Sequence, residues 1–238
     1  MDRWNDIGLA YWSNRSERQR WVHEYILYPE YSRIINEIGG TVILDYGCGD
    51  GSLINYLLNV CKHRTFYAYD ESREMRNIAK KMLHKEIALE HLSENAYDII
   101  CLNMVIQDVE DPTELLIKLE SFLVPKGIML ISMPHPVFSL IESRHLTTKR
   151  EIISNRAGRE NIYRYLDEDS ERVYWTNTNW TNLYNRTIST YSTAIREAGY
   201  FILDITEPLP NECSSNNKDL YLLNSELPSY LFWVIQRS

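Results

Sequence analysis

The sequence predicts an α/β fold with a mostly parallel sheet and helices on both of its faces. Over residues 41–133, five short apolar segments alternate with stretches of helical spacing, as in βαβ units whose parallel strands are joined by helices. Glycine is scarce, with nine among 238 residues, yet Gly47, Gly49 and Gly51 directly follow the first segment. Since ligands of open α/β sheets bind at the carboxyl ends of strands, the glycine cluster also predicts where the site lies.

Local patterns define each element of this region. Residues 16–38 place apolar side chains at helical spacing, with Pro29 as a break between two helices and Gly39-Gly40 at the end of the second. The strands are predicted at 41–47, 65–70, 87–93, 97–105 and 128–133. The helices between them are predicted at 52–62, 71–86 and 112–124. Pro112 suits a first helical turn, and Pro125-Lys126-Gly127 is predicted to form a turn before the fifth strand.

The pattern changes after Pro134. Residues 137–186 form a polar and aromatic insert after the fifth strand, with a hairpin expected at 161–175. A helix closed by Gly199 follows at 187–199. The last two strands are predicted at 200–207 and 230–236.

Composition excludes several classes of function. The net charge is −8, from 33 acidic and 25 basic residues, which argues against a nucleic-acid partner because a polyanion would be repelled. The four cysteines form no C-x-x-C pair, so neither a metal site nor a disulfide framework is predicted. No signal-type or membrane-spanning apolar stretch is present, so we expect a cytoplasmic protein without membrane contact. The sequence leaves the oligomeric state open.

The segment Asp45-Tyr46-Gly47-Cys48-Gly49-Asp50-Gly51 connects the first strand to its helix. Glycines let the backbone turn sharply and approach a ligand closely. A nicotinamide dinucleotide site needs the spacing G-x-G-x-x-G, and Ser52 stands where its third glycine would be. An acid in this loop repels a pyrophosphate and suits a ligand with a cationic amine. The alternative is a tight βα turn that contains glycines by chance.

Asp70 ends the second predicted strand, 25 residues after Asp45. A carboxylate at this position can accept hydrogen bonds from both hydroxyls of a ribose, although an acid at a strand end is also a common helix N-cap. Met75 suits contact with a flat base, and core packing is its alternative.

Four segments carry a family resemblance: VILDYGCGDG, the strand-ending acid in YAYDESREM, YDIICLNMVIQDVEDP and FLVPKGIMLISMPHP. In this order they resemble the class I S-adenosylmethionine-dependent methyltransferases, most closely the branch that acts on small molecules. The stretch NRTISTYSTAIREAGYFILDITEP looks like the distal helix and strand of that branch. The resemblance implies S-adenosyl-L-methionine as cofactor. It also implies a Rossmann-like sheet of seven strands, mostly parallel with the last strand antiparallel.

The resemblance implies roles for individual residues. Backbone groups of Gly47, Cys48 and Gly49 would wrap the methionine part of the cofactor. Asp45 would orient the loop and the cofactor amine, and Asp70 would bind the ribose. The full set of implied cofactor-binding residues is Asp45, Gly47, Cys48, Gly49, Asp70, Glu71, Met75, Leu92, Ser93, Asn103, Met104 and Tyr11.

Further candidates and reasons concern the cofactor amine, its adenine ring and its carboxylate. Asn103 would bring a backbone carbonyl to the cofactor amine. The stretch after the third strand is short, which leaves Leu92 and Ser93 as candidates for the adenine contact. The N-terminal candidates for holding the cofactor carboxylate are Tyr11, Arg20 and His23.

His135 lies just past the fifth strand and is the predicted catalytic base or substrate contact. Its alternative is a loop residue bonded to a backbone carbonyl. The aromatic insert is interpreted as a cover over the substrate, with a small satellite core as the alternative. The predicted substrate-binding residues are Gln107, His135, Phe138, Trp175 and Trp180. The single domain 1–238 thus divides into N-terminal helices (1–40), a cofactor-binding core (41–136), the substrate cover (137–186) and the C-terminal part of the sheet (187–238).

The leading prediction is an enzyme that transfers a methyl group from S-adenosyl-L-methionine to oxygen or nitrogen of a small molecule. One alternative keeps the reaction but makes RNA or protein the acceptor; Asn103-Met104-Val105-Ile106 lacks the N/D-P-P-Y/F run of many base-amine methyltransferases. A second alternative is a cofactor-binding module without catalysis. A nicotinamide-linked redox enzyme is disfavoured by Ser52.

Overall fold

The computed structural model describes residues 3–83, 88–89, 92–138, 164–166, 168–174, 180–211, 217–225 and 227–238. Its α-helices are Arg3–Asn14 (α1), Glu17–Val22 (α2), Tyr28–Ile38 (α3), Ser52–Val60 (α4), Arg73–Met82 (α5), Pro112–Glu120 (α6), Ile188–Glu197 (α7) and Lys218–Ser225 (α8). Its strands are Val42–Tyr46 (β1), Thr65–Tyr69 (β2), Ala88–Leu89 (β3), Tyr97–Asn103 (β4), Leu123–Pro134 (β5), Ser170–Tyr174 (β6), Trp180–Tyr184 (β7), Tyr200–Thr206 (β8) and Tyr230–Arg237 (β9). A π-helical turn spans His23–Leu27, and 3-10 turns span Ile106–Asp108 and Arg164–Leu166.

The main sheet has the strand order β3-β2-β1-β4-β5-β9-β8. Neighbouring strands from β3 to β5 are parallel, whereas β9 runs antiparallel to both β5 and β8. Six of these strands have five or more residues, and β3 contributes a single pair of residues at one edge. The predicted α/β fold with a mixed sheet is confirmed. The aromatic insert lies largely outside the described residues.

Two hydrophobic layers cover the two faces of the sheet. The apolar run of β1 explains why both faces are buried, because successive side chains of a strand point to opposite sides. Ile43 packs with residues of α3, α4 and α5 on one face. Leu44 packs with residues of α6 and α7 on the other. Burying one such side chain stabilises the fold by roughly 1.5–3 kcal/mol.

The N-terminal helical segment differs from the prediction at Pro29. This residue is not the break between the two helices but lies in the first turn of α3, a position that the fixed φ of proline suits. The irregularity falls earlier, in the π turn His23–Leu27. Gly39 ends α3 with φ +90°, as predicted.

Two turn predictions are wrong in position. Pro125-Lys126-Gly127 lies inside β5, where the pairing with β4 shifts register between Tyr97 and Ile99. The hairpin predicted at 161–175 is formed instead by β6 and β7, in which Tyr174 pairs with Trp180. The loop of this hairpin therefore begins where the predicted hairpin ends.

Candidate functional site

The glycine loop follows β1 at the centre of the sheet. Gly47, Gly49 and Gly51 have φ values of +78°, +55° and +80°, a region that L side chains adopt with difficulty. The backbone N–H groups of Gly47 and Cys48 both donate to the carbonyl oxygen of Tyr69, at 2.7 and 2.9 Å. The loop is thereby tied to the carboxyl end of β2, and all three glycines are needed for its conformation.

Asp70 lies where the loop meets the end of β2. Its Oδ2 accepts a hydrogen bond from the N–H of Gly49 at 2.9 Å, and its Oδ1 accepts one from Ser72 at 2.8 Å. The N-cap of α5 is Ser72, whose hydroxyl accepts from the N–H of Met75. Ser72, and not Asp70, is therefore the N-cap of α5. Asp70 lines the cavity described below, and its role toward a ribose stays a prediction.

Asp45 is a buried carboxyl group at the end of β1, only 2 % exposed. No group of the described residues donates a hydrogen bond to its Oδ1. Burial, together with the nearby charges of Asp70 and Asp50, raises the pKa of Asp45 to about 8. A buried acceptor of this kind is unfavourable unless a partner reaches it, so a cationic group bound beside the loop would fit here.

A cavity of about 730 Å³ opens at the carboxyl ends of β1, β2 and β4. Its wall joins residues far apart in sequence, from α1 to α6. The predicted cofactor residues that line it are Gly47, Cys48, Gly49, Asp70, Glu71, Met75, Asn103 and Met104. Asp45 lies behind this wall, beneath the loop.

Met104 gives the cavity a strained wall. Its φ is +59°, an uncommon conformation for a residue with a side chain and one that concentrates at functional sites. Next to it, the side-chain oxygen of Asn103 accepts a hydrogen bond from Ser132, which in turn accepts one from Tyr31, at 3.1 and 3.0 Å. This buried chain fixes the Asn103 side chain at the end of β4.

The N-terminal helices are anchored to the glycine loop by Asp50. Its Oδ2 accepts hydrogen bonds from Trp12 and from the guanidinium of Arg15, and its Oδ1 accepts one from the N–H of Ser52 at 3.1 Å. Arg15 lines the cavity. The sequence did not single out this pair because its members are 35 residues apart.

The N-terminal candidates that the sequence predicts are Tyr11, Arg20 and His23. His23 lines the cavity, and burial together with Arg15 lowers its pKa to about 4, so it is neutral near pH 7. A neutral imidazole is a weak partner for a carboxylate, whereas Arg15 keeps its charge. Tyr11 belongs to α1, but its side chain is outside the described residues. Arg20 is exposed and donates to the carbonyl oxygen of Arg15.

The structure places His135 away from the described cavity wall. Its Nδ1 accepts hydrogen bonds from the N–H groups of Val137 and Phe138, at 3.2 and 3.3 Å. Its Nε2 lies 2.7 Å from a carboxylate oxygen of Glu207. A general base needs a ring nitrogen that can accept the proton of the acceptor, and both nitrogens of His135 already contact protein groups.

The remaining predicted residues are those for the substrate and for adenine. Gln107 is buried directly behind the cavity residue Asp108. Phe138 packs against the ring of His135, and Trp180 lies under the guanidinium of Arg172. Trp175 lies outside the described residues. Leu92 packs against the second hydrophobic layer, and Ser93 is exposed with its N–H donating to Tyr97, so the described structure brings neither to the cavity.

Replacing Gly47 by alanine is expected to abolish measurable cofactor binding. A Cβ atom on Gly47 would lie 2.5 Å from a methyl carbon of Val105 and would also require a strained φ of +78°. Gly39→Ala is the matched control, since it meets the same φ strain with no atom within 4 Å. Calorimetry of both variants separates the two effects; binding by Gly47→Ala at the affinity of Gly39→Ala would contradict the role of the loop.

The described part of the chain contains neither a metal-binding cluster nor a membrane-spanning helix. No group of three or more His, Cys, Asp or Glu side chains there could hold a metal ion. None of the helices there is long and apolar enough to cross a membrane.

Comparisons with known proteins identify the family of the chain. Residues 11–197 match the family described as Methyltransferase domain. A malonyl-[acyl-carrier protein] O-methyltransferase of Halalkalibacterium halodurans is 33% identical over 131 residues, which cover 49% of this chain and 48% of the relative. The chain thus matches about half the length of that curated relative.

Solved structures share the fold at lower identity. An S-adenosylmethionine-dependent methyltransferase of Mesorhizobium loti has a TM-score of 0.66 and 22% identity, covering 88% of this chain and 96% of that chain. An N1-methyltransferase for 1,6-didemethyltoxoflavin from Burkholderia thailandensis, solved with S-adenosylhomocysteine, has a TM-score of 0.54 and 14% identity, covering 99% and 84%.

The chain belongs to the Methyltransferase domain family. The predicted resemblance to class I methyltransferases is confirmed. Residues 11–197 are thus a methyltransferase domain, an enzyme domain with S-adenosyl-L-methionine as its cofactor. The Oδ1 atom of Asp45, which no described group reaches, fits a ligand with a cationic amine.

Proposed function

We propose that the protein methylates an oxygen or nitrogen atom of a small-molecule acceptor. The observation that carries this proposal is the cavity at the carboxyl ends of β1, β2 and β4. Its volume of about 730 Å³ falls within the range of roughly 300–1,000 Å³ typical of small-molecule sites. The net charge of −8 disfavours a nucleic-acid acceptor.

Several residues of the chain would hold the cofactor. The glycine loop would approach it through its backbone, Asp45 would face its amine, and Asp70 would accept hydrogen bonds from its ribose. Arg15 would contact its carboxylate. This last assignment adds Arg15 to the predicted candidate Tyr11, because the guanidinium of Arg15 belongs to a residue of the cavity wall.

The chemistry requires little covalent help from the protein. When bound, S-adenosyl-L-methionine supplies a methyl group on a sulfonium with a neutral leaving group. The chain therefore has to align the acceptor atom with that methyl group and exclude water. The helix α1 and the connection that follows it contribute to exclusion, because Asp50 binds Trp12 and Arg15 and holds them against the loop.

The names of two similar proteins support oxygen and nitrogen as the atoms that receive the methyl group. The curated relative is named an O-methyltransferase for malonyl-[acyl-carrier protein], and the toxoflavin enzyme is named an N1-methyltransferase. We therefore include the oxygen of a carboxylic acid, free or linked to a carrier, and ring nitrogens among the acceptors to be tested.

The experiment uses methyl-labelled S-adenosyl-L-methionine with separate sets of carboxylic acids, phenols and amines, and with RNA and protein as competing acceptors. Asp70→Ala is the control variant. We expect it to bind the cofactor about 10- to 150-fold more weakly, the equivalent of 1.5–3 kcal/mol for hydrogen bonds to a charged group. Labelling of a small acceptor supports the proposal. Labelling of RNA or protein alone, or binding without any transfer, contradicts it.

A further inference from the structure

A carboxyl group that the cofactor does not require lies in the same cavity. Asp108 is the last residue of the 3-10 turn that follows β4. It lines the cavity together with Gly47 and Asp70. The side chain is thus attached to a short turn between β4 and α6, at the edge of the sheet where ligands bind.

The contacts of Asp108 leave one oxygen available. Its Oδ2 accepts a hydrogen bond from the Gln107 side chain at 3.2 Å. Among the described residues, no group donates to Oδ1. The side-chain oxygen of Gln107 is also buried without a partner. The pair therefore keeps hydrogen-bonding capacity that a bound molecule could use.

Arg186 binds the backbone next to this turn and forms no ion pair with Asp108 in the described structure. The guanidinium of Arg186 donates to the carbonyl oxygens of Val109 and Glu110, at 2.9 and 2.6 Å, and lies over the ring of Tyr184. Burial raises the pKa of Asp108 to about 8, and the hydrogen bond from Gln107 opposes this only in part.

Other charged and titratable groups surround this position. Those on the elements packed around the turn, besides Arg186, are Glu110, Asp111, Glu168 and Tyr191. Those along the cavity wall and beneath the loop are Arg15, His23, Tyr28, Asp45, Tyr46, Asp50, Asp70, Glu71, Glu114 and Lys118. Burial is what raises the pKa of Asp108, and a cation bound nearby would favour its charged form.

We propose that Asp108 is the general base that accepts the proton of the acceptor during methyl transfer, a role that rests on the proposed O–H or N–H acceptor. The acceptor atom forms its bond to the methyl carbon as the C–S bond breaks, and sulfur keeps the electron pair of that bond. The proton of the acceptor passes to Oδ1 of Asp108. His135, the predicted base, has both nitrogens engaged, whereas Asp108 has a free oxygen in the cavity.

The first test requires no acceptor. S-adenosyl-L-methionine carries a positive sulfonium that S-adenosylhomocysteine lacks, and the two share their amine and carboxylate. A sulfonium near Asp108 would lower the pKa of this carboxyl group, so binding the charged ligand would release a proton that the neutral one does not. A fall from 8 to 7 corresponds to about 0.4 proton at pH 8.

Calorimetry in buffers of different ionisation enthalpy measures these protons. We expect a difference of about 0.4 proton between the two ligands for the wild type, almost none for Asp108→Asn, and a wild-type difference for the control Asp111→Asn. Asparagine imitates the protonated acid, and unchanged binding of S-adenosylhomocysteine verifies folding. No difference in the wild type, or an unchanged difference in Asp108→Asn, would overturn the proposal. An error in the acceptor class leaves these titrations unaffected.

The second test uses whichever O–H or N–H acceptor the wild type methylates. We expect Asp108→Asn to lower kcat about 100-fold or more without changing the KM for S-adenosyl-L-methionine. With a carboxylate acceptor, which has no proton to lose, the same variant should stay within a few-fold of the wild type. Equal losses on both kinds of acceptor would assign Asp108 to positioning and overturn its role as base.

Discussion

Asp45→Asn is expected to weaken cofactor binding and to stabilise the free protein at alkaline pH. The buried carboxylate has no hydrogen-bond partner of its own at Oδ1, so a cofactor amine would be its principal partner. Removing one member of a buried, hydrogen-bonded charge pair typically costs about 2–5 kcal/mol. We therefore expect the Kd for S-adenosyl-L-methionine to rise about 30-fold or more.

The contribution of Asp45 to the free energy of unfolding is expected to fall as the pH rises. The pKa of Asp45 is about 8 in the folded protein, well above its value near 3.9 in an unfolded chain. The folded state therefore holds the proton more tightly, and this contribution to stability is complete below pH 4 and lost as the pH rises through 8. Asparagine does not ionise, so the Tm advantage of Asp45→Asn should grow between pH 4 and pH 8.

Asp98→Asn is a suitable control. This aspartate lies in β4 of the main sheet. Burial alone would raise its pKa, but hydrogen bonds from Val42 and Thr41 stabilise the charged form and lower the pKa overall. Its contribution to stability is present at neutral pH and lost on acidification, so Asp98→Asn should lower the Tm at pH 7 and leave cofactor affinity unchanged. Wild-type affinity in Asp45→Asn would show that Asp45 does not face the cofactor.

Arg15→Ala is expected to destabilise the protein and to weaken cofactor binding together. Arg15 and Asp50 form a largely buried ion pair, with side chains 15% and 6% exposed. Removing one partner leaves an uncompensated charge, which typically costs about 3–5 kcal/mol when the pair is buried. Denaturant unfolding measures this loss, and calorimetry measures the cofactor affinity.

Two comparisons make the Arg15 prediction specific. The double variant Arg15→Ala/Asp50→Asn should recover part of the stability, because no unpaired charge remains, but should not recover the affinity. Glu37→Ala removes an exposed ion pair with Arg33, with side chains 63% and 44% exposed, and should cost less than about 1 kcal/mol. If Arg15→Ala behaved like Glu37→Ala, the N-terminal helices would not depend on this anchor.

The parts of the site that the sequence predicted are those with local signals. The glycine loop, the acid at the end of β2 and the helix end at Gly39 each follow from residue types within a few positions of one another. Their chemistry is set by backbone conformation and by strand ends, which short patterns describe well. Of these, the glycine loop and the acid at the end of β2 line the cavity.

The parts that were missed depend on long-range contacts. Arg15 meets Asp50 across 35 residues, and His135 meets Glu207 across 72. Whether a side chain is free or engaged follows from the partner that tertiary packing brings to it. No local pattern reveals this, so the sequence alone could not show that both ring nitrogens of His135 contact protein groups.

An acid-rich glycine loop should bind an adenosyl cofactor with a cationic amine. Calorimetric titration of the wild-type protein, with S-adenosyl-L-methionine, S-adenosylhomocysteine and NADH added separately, measures this binding. We predict saturable binding of both adenosyl compounds at one site and no binding of NADH. Binding of NADH, or failure of both adenosyl compounds to bind, would contradict the account.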